Sequence, residues 1–229
     1  MQLSPKASQK LARQLLGTAL ARKKTVILCP DFSSLYGVGK IIKSSSLLLG
    51  AQNLAALGQG AYTGQVSATS LRELGVKYVI IGHSEARQYL GEDDALIRQK
   101  LALAVKSRLI PILCVGEKKG EKAEIVLRRQ LEVLKGLPAK TKIIIAYEPV
   151  WAIGSGRALS ASLANELQAM IKLIAKQYLS LVPPVLYGGS VDEKNVSDFA
   201  SEPYIDGLLV GGSSLDAKRF NRLGQIILT

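Results

Sequence analysis

The sequence predicts a single α/β domain, residues 1–229, built on a parallel β-sheet. Short apolar runs rich in β-branched residues alternate with longer amphipathic segments along the whole chain, which is typical of βαβ units. Nearly every apolar run is followed by glycine or polar residues. The chain has 229 residues, of which 48% are hydrophobic, and no linker or low-complexity segment divides it. These features indicate one large core and exclude a disordered chain.

The first predicted element is an amphipathic helix over residues 4–22. Ser4 is placed to cap its amino terminus, and Pro5 suits the first helical position because it needs no hydrogen-bond partner for a backbone N–H. Apolar side chains then recur at four-residue intervals, so one face of the helix is expected to pack on the core. They are Ala7, Leu11, Leu15 and Ala19.

The rest of the chain predicts seven strands and seven further helices. Strands are expected at 25–30, 47–52, 78–82, 110–115, 143–147, 185–187 and 207–210. Helices are expected near 35–43, 69–74, 94–107, 119–135, 162–179, 193–200 and 215–227. This pattern alone fits both an open doubly wound sheet and a closed (β/α)8 barrel. No glycine-rich dinucleotide fingerprint follows the first strand, which weakens the case for an open doubly wound sheet.

Composition narrows the possible functions. No apolar run is long enough to span a membrane, and residues 1–6 lack the apolar core of a signal peptide. Cys29 and Cys114 lie inside apolar runs without metal-ligand spacing, which indicates reduced core thiols of a cytosolic protein. The net charge of +12 leaves nucleic-acid binding open as a hypothesis. However, the cations are scattered and only 5% of residues are aromatic, so attraction of small anions or mere solubility explains the charge equally well.

The segment 143–157 is the strongest candidate for a catalytic element. Its apolar run predicts a buried strand that ends at the carboxylate of Glu148. An apolar loop follows, containing the only tryptophan, Trp151, and closed by Gly154 and Gly156. A strand-end carboxylate beneath a hinged apolar loop is a suitable general base kept away from water. The alternative is a structural glutamate followed by an ordinary glycine-containing turn.

His83 is the only histidine of the chain and also follows a predicted strand. A single histidine in a buried run is more often structural than catalytic. Its position at a strand end, next to Ser84 and Glu85, nevertheless favours a role in proton transfer.

Two loops of small residues, 188–190 and 211–213, follow the last two predicted strands. Such loops expose backbone N–H groups, and the second leads into a helix whose amino terminus favours an anion. Each pair of glycines alone is weak evidence, but together they match the usual phosphate site of barrel enzymes.

Several motifs, in order along essentially the whole chain, together resemble the triosephosphate isomerase family. They are Ala51-Gln52-Asn53, Gly60-Ala61-Tyr62-Thr63-Gly64, Gly82-His83-Ser84-Glu85, Cys114-Val115-Gly116-Glu117, Tyr147-Glu148-Pro149-Val150-Trp151-Ala152-Ile153-Gly154, Tyr187-Gly188-Gly189-Ser190-Val191 and Leu209-Val210-Gly211-Gly212. The resemblance implies a (β/α)8 barrel, and an enzyme that interconverts dihydroxyacetone phosphate and glyceraldehyde 3-phosphate through an enediolate, without cofactor or metal.

The resemblance also implies roles for individual residues, which are those of the family and are not deduced from spacing. Glu148 matches the base, and His83 matches the neutral imidazole that polarises the carbonyl. Loop 149–156 matches the lid that closes over the substrate. Gly154, Ser190, Gly211 and Gly212 match the groups that hold the phosphate, whereas Asn53 and Glu85 match polar support. The family further implies a cytoplasmic homo-oligomer, a dimer or higher, joined through the segment around Thr63, with neither nucleic acid nor membrane as partner.

The sequence departs from the family pattern at three places. The family begins with a strand that ends in Asn-Trp-Lys-Met, and Met1 aligns with that methionine. Either the strand with its Asn and Lys lies ahead of residue 1, or the chain is a variant in which subunit contacts fill the gap or the barrel stays open. The family-like continuation after Met1 favours the first alternative. A chain without this lysine is expected to lose about a thousandfold or more in rate. A catalytically silent barrel that binds or assembles is therefore the alternative function. Gln65 and Ala86 replace a usual Glu and Arg, which is expected to weaken or rearrange the interface.

Overall fold

Seven parallel strands form one curled sheet in the computed structural model, which describes residues 2–153 and 158–228. Each strand pairs with the next along the chain, so the sheet order is the chain order. The strands are β1 Ile27–Leu28, β2 Leu48–Ala51, β3 Tyr78–Ile81, β4 Ile110–Val115, β5 Ile144–Tyr147, β6 Val185–Tyr187 and β7 Gly207–Leu208. The predicted parallel α/β barrel architecture is confirmed.

Helices connect the strands and cover the outside of the sheet. They are α1 Pro5–Leu15, α2 Ala19–Lys23, α3 Leu35–Ile42, α4 Ala68–Glu73, α5 Ser84–Tyr89, α6 Asp94–Lys106, α7 Ala123–Leu131, α8 Ala161–Ala175, α9 Val196–Ala200 and α10 Ala217–Leu228. Short 3-10 turns lie at Phe32–Ser34, Glu132–Leu134, Val150–Ala152 and Gly212–Leu215. None of the helices within the described ranges is long and apolar enough to cross a membrane.

The predicted helix over residues 4–22 is wrong, because the chain breaks into α1 and α2. Gly17 has a φ of +70°, a left-handed conformation that an α-helix cannot contain. The hydroxyl of Thr18 then accepts a hydrogen bond from the N–H of Ala21 and caps a new helix. The apolar period continued across this break, which concealed it. Helix α5 is an addition to the predicted elements, because a helix of six residues is too short to show an apolar period.

Side chains alternate between two cores along each strand. In β3, Val79 and Ile81 pack against the helices, whereas Ile80 points to the inner face of the sheet. The same alternation places Cys114 of β4 and Ala146 of β5 on the inner face. Residue 148 continues the inward-facing positions of β5, so the alternation predicts that Glu148 points into the mouth of the barrel.

The two outermost strands are the shortest in the sheet. β1 and β7 have two residues each, fewer than the sequence predicted, and within the described residues the recorded pairings join β1 only to β2 and β7 only to β6. A strand with one neighbour leaves one row of backbone N–H and C=O groups unpaired by the sheet. All seven strands end at the same side, so their following loops surround one mouth.

Candidate active site

The carboxylate of Glu148 is buried in the mouth of the barrel, and only 2% of the surface of Glu148 is exposed to solvent. Its Oε1 lies 3.0 Å from Nε2 of His83, and its Oε2 accepts a hydrogen bond of 3.1 Å from the backbone N–H of Ser84. Both carboxylate oxygens thus have a partner at the start of α5. A buried carboxylate needs such partners, because an unpaired charge is strongly disfavoured there.

Two glycines permit this placement of Glu148. A Cβ on Gly116 would stand 1.7 Å from the carbonyl oxygen of Glu148, and a Cβ on Gly188 would stand 2.9 Å from its Cγ. The backbone around Glu148 is also tied to both neighbouring strands, since its N–H donates to Val115 and the N–H of Gly188 donates to Tyr147. The glycines that follow β4 and β6 are therefore needed for close approach to residue 148.

His83 is oriented by the helix that it caps. Its Nδ1 accepts a hydrogen bond of 3.3 Å from the backbone N–H of Glu85, which leaves the ring hydrogen on Nε2, facing Glu148. Burial lowers the pKa of His83, but the hydrogen bond and charge of Glu148, with a smaller contribution from Glu85, outweigh burial and raise the pKa above its ordinary value. The raised pKa therefore depends on the carboxylate of Glu148 staying in place.

Cys114 lies beneath this pair and is a free, fully buried thiol. Burial, reinforced by the charge of Glu148, raises the pKa of Cys114 well above its ordinary value. The thiol therefore remains protonated and unreactive.

The segment after Glu148 is held at its start by Glu117. The indole Nε1 of Trp151 donates to Oε1 of Glu117 at 2.9 Å, and the hydroxyl of Tyr147 donates to Oε2 of the same carboxylate at 3.2 Å. Ser190 fixes the other side, since its hydroxyl donates to the carbonyl of Ala152 at 2.6 Å. Residues 149–153 are thereby tied to the loops that follow β4 and β6.

The loops after β6 and β7 lie side by side. The hydroxyl of Ser213 donates to the carbonyl of Val191, which joins the two loops. Gly211 and Gly212 are exposed, and a Cβ on either would meet no atom within 4 Å, so a ligand has room against their backbone. The predicted anion site in these loops stays a prediction, but two N–H groups at the start of α10 are already occupied. Asp216 already accepts hydrogen bonds from the N–H groups of Lys218 and Arg219 there.

Asn53 belongs to a buried polar cluster of its own. Its amide nitrogen donates to Oε1 of Glu92 at 2.8 Å, and its amide oxygen accepts from Nζ of Lys100 at 2.9 Å. Lys100 and Glu92 also form a short ion pair, and only 5% of the surface of each residue is exposed to solvent. The other oxygen of Glu92, Oε2, is buried without a hydrogen-bond partner. This cluster anchors the loop after β2.

The structure brings together most of the residues that the sequence singled out. His83, Glu148 and Ser190 lie at the mouth with the two glycine loops, and Glu85 lies at its rim, where its side chain is 75% exposed. Gly154 and the rest of the predicted lid, residues 154–156, lie outside the described residues. Sequence reasoning missed the Ser84 N–H as a partner of Glu148, and gave Glu117 no role. It also gave no sign of Glu92 and Lys100, because nothing in a helix pattern marks a lysine that turns inward.

No group of three or more His, Cys, Asp or Glu residues is placed to hold a metal ion in the part of the chain that the structure describes.

The fold and the site define a parallel β/α-barrel protein with a carboxylate and an imidazole at the carboxyl ends of its strands. The sequence profile described as triosephosphate isomerase matches residues 1–227. A triosephosphate isomerase of Thermoanaerobacter pseudethanolicus is 41% identical over 235 aligned residues, covering 97% of this chain and 94% of that protein. That of Dehalococcoides mccartyi is 48% identical over 203 residues, covering 85% and 79% respectively. That of Moorella thermoacetica is 44% identical over 220 residues, covering 92% and 87%. The chain belongs to the triosephosphate isomerase family.

Proposed function

We propose that this chain interconverts dihydroxyacetone phosphate and glyceraldehyde 3-phosphate, with Glu148 as the base and His83 as the electrophile. The observation that carries the proposal is the direct contact between the buried carboxylate and an imidazole whose hydrogen is on Nε2. The family and its relatives support the reaction itself. The assignment of each step to a residue rests on the geometry.

The proton transfer follows from the two groups. The carboxylate of Glu148 removes a proton from the carbon next to the carbonyl, and the electron pair moves to the carbonyl oxygen to form an enediolate. The Nε2–H of His83 donates to that oxygen and stabilises the developing charge. The enediolate oxygen takes the Nε2 proton of His83, and the ring takes the hydroxyl proton of the neighbouring oxygen, so a proton passes from one oxygen to the other. Glu148, now protonated, returns its proton to the carbon that bore the carbonyl, which completes the isomerisation without net gain or loss of protons.

The occupied oxygens of Glu148 imply a movement during this cycle. In the ligand-free site, Ser84 and His83 hold both oxygens, so at least one of these contacts must be released before Glu148 reaches a substrate carbon. Once the carboxylate leaves His83, burial is opposed only by the smaller effect of Glu85 and favours the neutral form of the ring. The same movement thus frees Glu148 to act as the base and favours the neutral His83 that acts as the electrophile.

For the phosphate, we propose the groups that resemblance implies, Ser190, Gly211, Gly212 and Gly154. The open space beside Gly211 and Gly212 supports this assignment for the described glycines. The hydroxyl of Ser190 also contacts Ala152, so phosphate binding and the position of the segment after Glu148 are expected to depend on each other.

A coupled assay of purified protein tests the proposal. The parent chain should be compared with Glu148→Gln and His83→Gln, and each with and without an added amino-terminal strand that ends in Asn-Trp-Lys. We expect turnover that both substitutions reduce by at least about a hundredfold, and that the extension increases. Absence of turnover in every form would refute the isomerase function and favour the silent barrel.

We further propose a homo-oligomer in the cytoplasm, joined through the segment around Thr63. In support, Leu57 and Tyr62 are 48% and 44% exposed there, beside an open cavity of about 410 Å³ that is lined by residues of the loop between β2 and α4 and by Ser70 of α4. The two free thiols fit a reducing compartment. Light scattering should give a mass above 24.6 kDa for the parent, and Tyr62→Asp should lower it. A monomeric parent would contradict this assignment.

A further inference from the structure

The cations of this chain are concentrated at the end of the barrel opposite the active site. In a parallel sheet every connecting helix ends at the edge where the next strand begins. We define the amino-terminal face as the last helical turn before each strand together with the loop that leads into it. Its segments are 20–26, 39–47, 70–77, 103–109, 131–143, 172–184 and 197–206.

This face carries most of the net charge. Its segments contain fourteen Lys and Arg against five Asp and Glu, a net charge of +9 out of +12 for the whole chain. Thirteen of the fourteen cations are exposed, and Lys172 alone among the fourteen forms an ion pair within the described residues, with Asp206 at 2.7 Å. The fourteen are Arg22, Lys23, Lys24, Lys40, Lys43, Arg72, Lys77, Lys106, Arg108, Lys135, Lys140, Lys142, Lys172 and Lys176.

Helix dipoles explain part of this distribution but not all of it. Cations in the last turn of a helix or at its cap interact favourably with the helix carboxyl end. Lys77, Arg108, Lys140 and Lys142 lie beyond the caps, where this effect has faded. Arg108 also has a φ of +59°, a conformation in which glycine would cost less. Arg108 therefore occupies a position where the backbone conformation alone would favour glycine.

We propose that the amino-terminal face binds the phosphate backbone of double-stranded nucleic acid without reading its sequence. Exposed, mostly unpaired lysines spread over six of the seven segments suit an array of phosphates. Aromatic side chains that could stack on bases are scarce, and the exposed Tyr204 lies beside Lys172, which favours a duplex over a single strand. The exposed apolar side chains, such as Leu181 and Val182, are confined to one sector of the face, which disfavours insertion into a membrane.

This binding is separate from catalysis, because the loops that bear His83 and Glu148 follow the strands at the other end.

The test uses the full chain and a fluorescently labelled DNA duplex of mixed sequence, with affinity measured by anisotropy. Four phosphate contacts predict a loss of about a hundredfold in affinity between roughly 50 and 200 mM KCl.

Two variants with equal charge change localise the site. Lys24→Glu/Lys43→Glu/Lys142→Glu alters the face, whereas Lys119→Glu/Lys122→Glu/Lys194→Glu alters exposed lysines in loops at the opposite end. We expect the first to weaken binding at least about tenfold and the second by less than about threefold, with isomerase turnover of the first unchanged. If the first variant fails to fold by circular dichroism, the Lys→Gln triple at the same positions replaces it.

Three results would overturn the proposal. One is no binding of the duplex at about 50 mM KCl. Another is an equal loss of affinity in both variants, which would mean that binding depends on the net charge of the chain and not on the amino-terminal face. The third is binding of vesicles that contain phosphatidylserine under conditions where the duplex does not bind.

Discussion

His83 and Glu148 come from different strand ends and form a direct hydrogen bond, with Nε2 of the ring 3.0 Å from Oε1 of the carboxylate. Because Glu148 raises the pKa of His83 against the effect of burial, replacing the carboxylate should reverse the shift. We expect a pKa above about 6.5 in the parent and a lower value in Glu148→Gln. NMR titration measures it without assignment, since the chain has one histidine. Equal midpoints in both proteins would contradict the prediction.

The same shift makes the contribution of His83 to stability depend on pH. A folded-state pKa raised above the unfolded value stabilises the protein fully below the unfolded pKa of about 6.5, and this stabilisation is lost as pH rises through the folded pKa. The free energy of unfolding of the parent minus that of His83→Gln should therefore fall as the pH rises above about 6.5. Urea unfolding at several pH values checks this. A difference that grows with pH would show that burial dominates instead.

Ser84→Pro should release one oxygen of Glu148 without disturbing α5. Ser84 is the first residue of that helix, where proline is tolerated, and the φ and ψ of His83, −52° and 145°, already suit a residue before proline. The substitution removes the N–H that donates to Oε2. We expect a loss of about 1.5–3 kcal/mol in the free energy of unfolding, as for a hydrogen bond to a charged group. Ser84→Ala keeps the N–H and serves as the control, so equal losses would exclude this hydrogen bond as the cause.

Gly116→Ala should destabilise the chain and displace the base. The added Cβ would stand 1.7 Å from the carbonyl oxygen of Glu148, which is backbone and cannot move aside cheaply. We expect a loss of about 3 kcal/mol or more, and a fall in kcat larger than any change in KM. Gly58→Ala is the matched control, because Gly58 is exposed and its Cβ would meet nothing within 4 Å. Thermal unfolding and steady-state kinetics distinguish the two, and a stable, active Gly116→Ala would refute the packing argument.

Lys100→Met should be more harmful than removal of the whole pair. The single change leaves Glu92 as a buried, unpaired charge, which typically costs about 3–5 kcal/mol. Lys100→Met/Glu92→Leu removes both charges and should recover much of this loss. Denaturant unfolding of the single and double variants gives the comparison. A double variant as unstable as the single one would show that packing, not charge, is responsible.

The sequence by itself determined the parallel β/α architecture, because the apolar period of each segment and the residues at its ends are local properties. It also singled out Glu148 and His83 as candidates, since both follow buried strands and parallel strands end at one side, whereas their roles came from the resemblance to the family. The break at Gly17 was not predictable from the period, because a helix and two shorter helices bury the same apolar positions.

Only the tertiary structure decided which groups meet. Distances between strand ends depend on how the sheet curls and on close approaches such as that of Gly116 to Glu148, which no local pattern records. The capping of α10 by Asp216 and the inward turn of Lys100 to Glu92 were likewise set by packing. The same reason applies to charge. The cations are scattered along the sequence, and the parallel topology places fourteen of the thirty, and most of the net charge, on one face, because every connecting helix ends there.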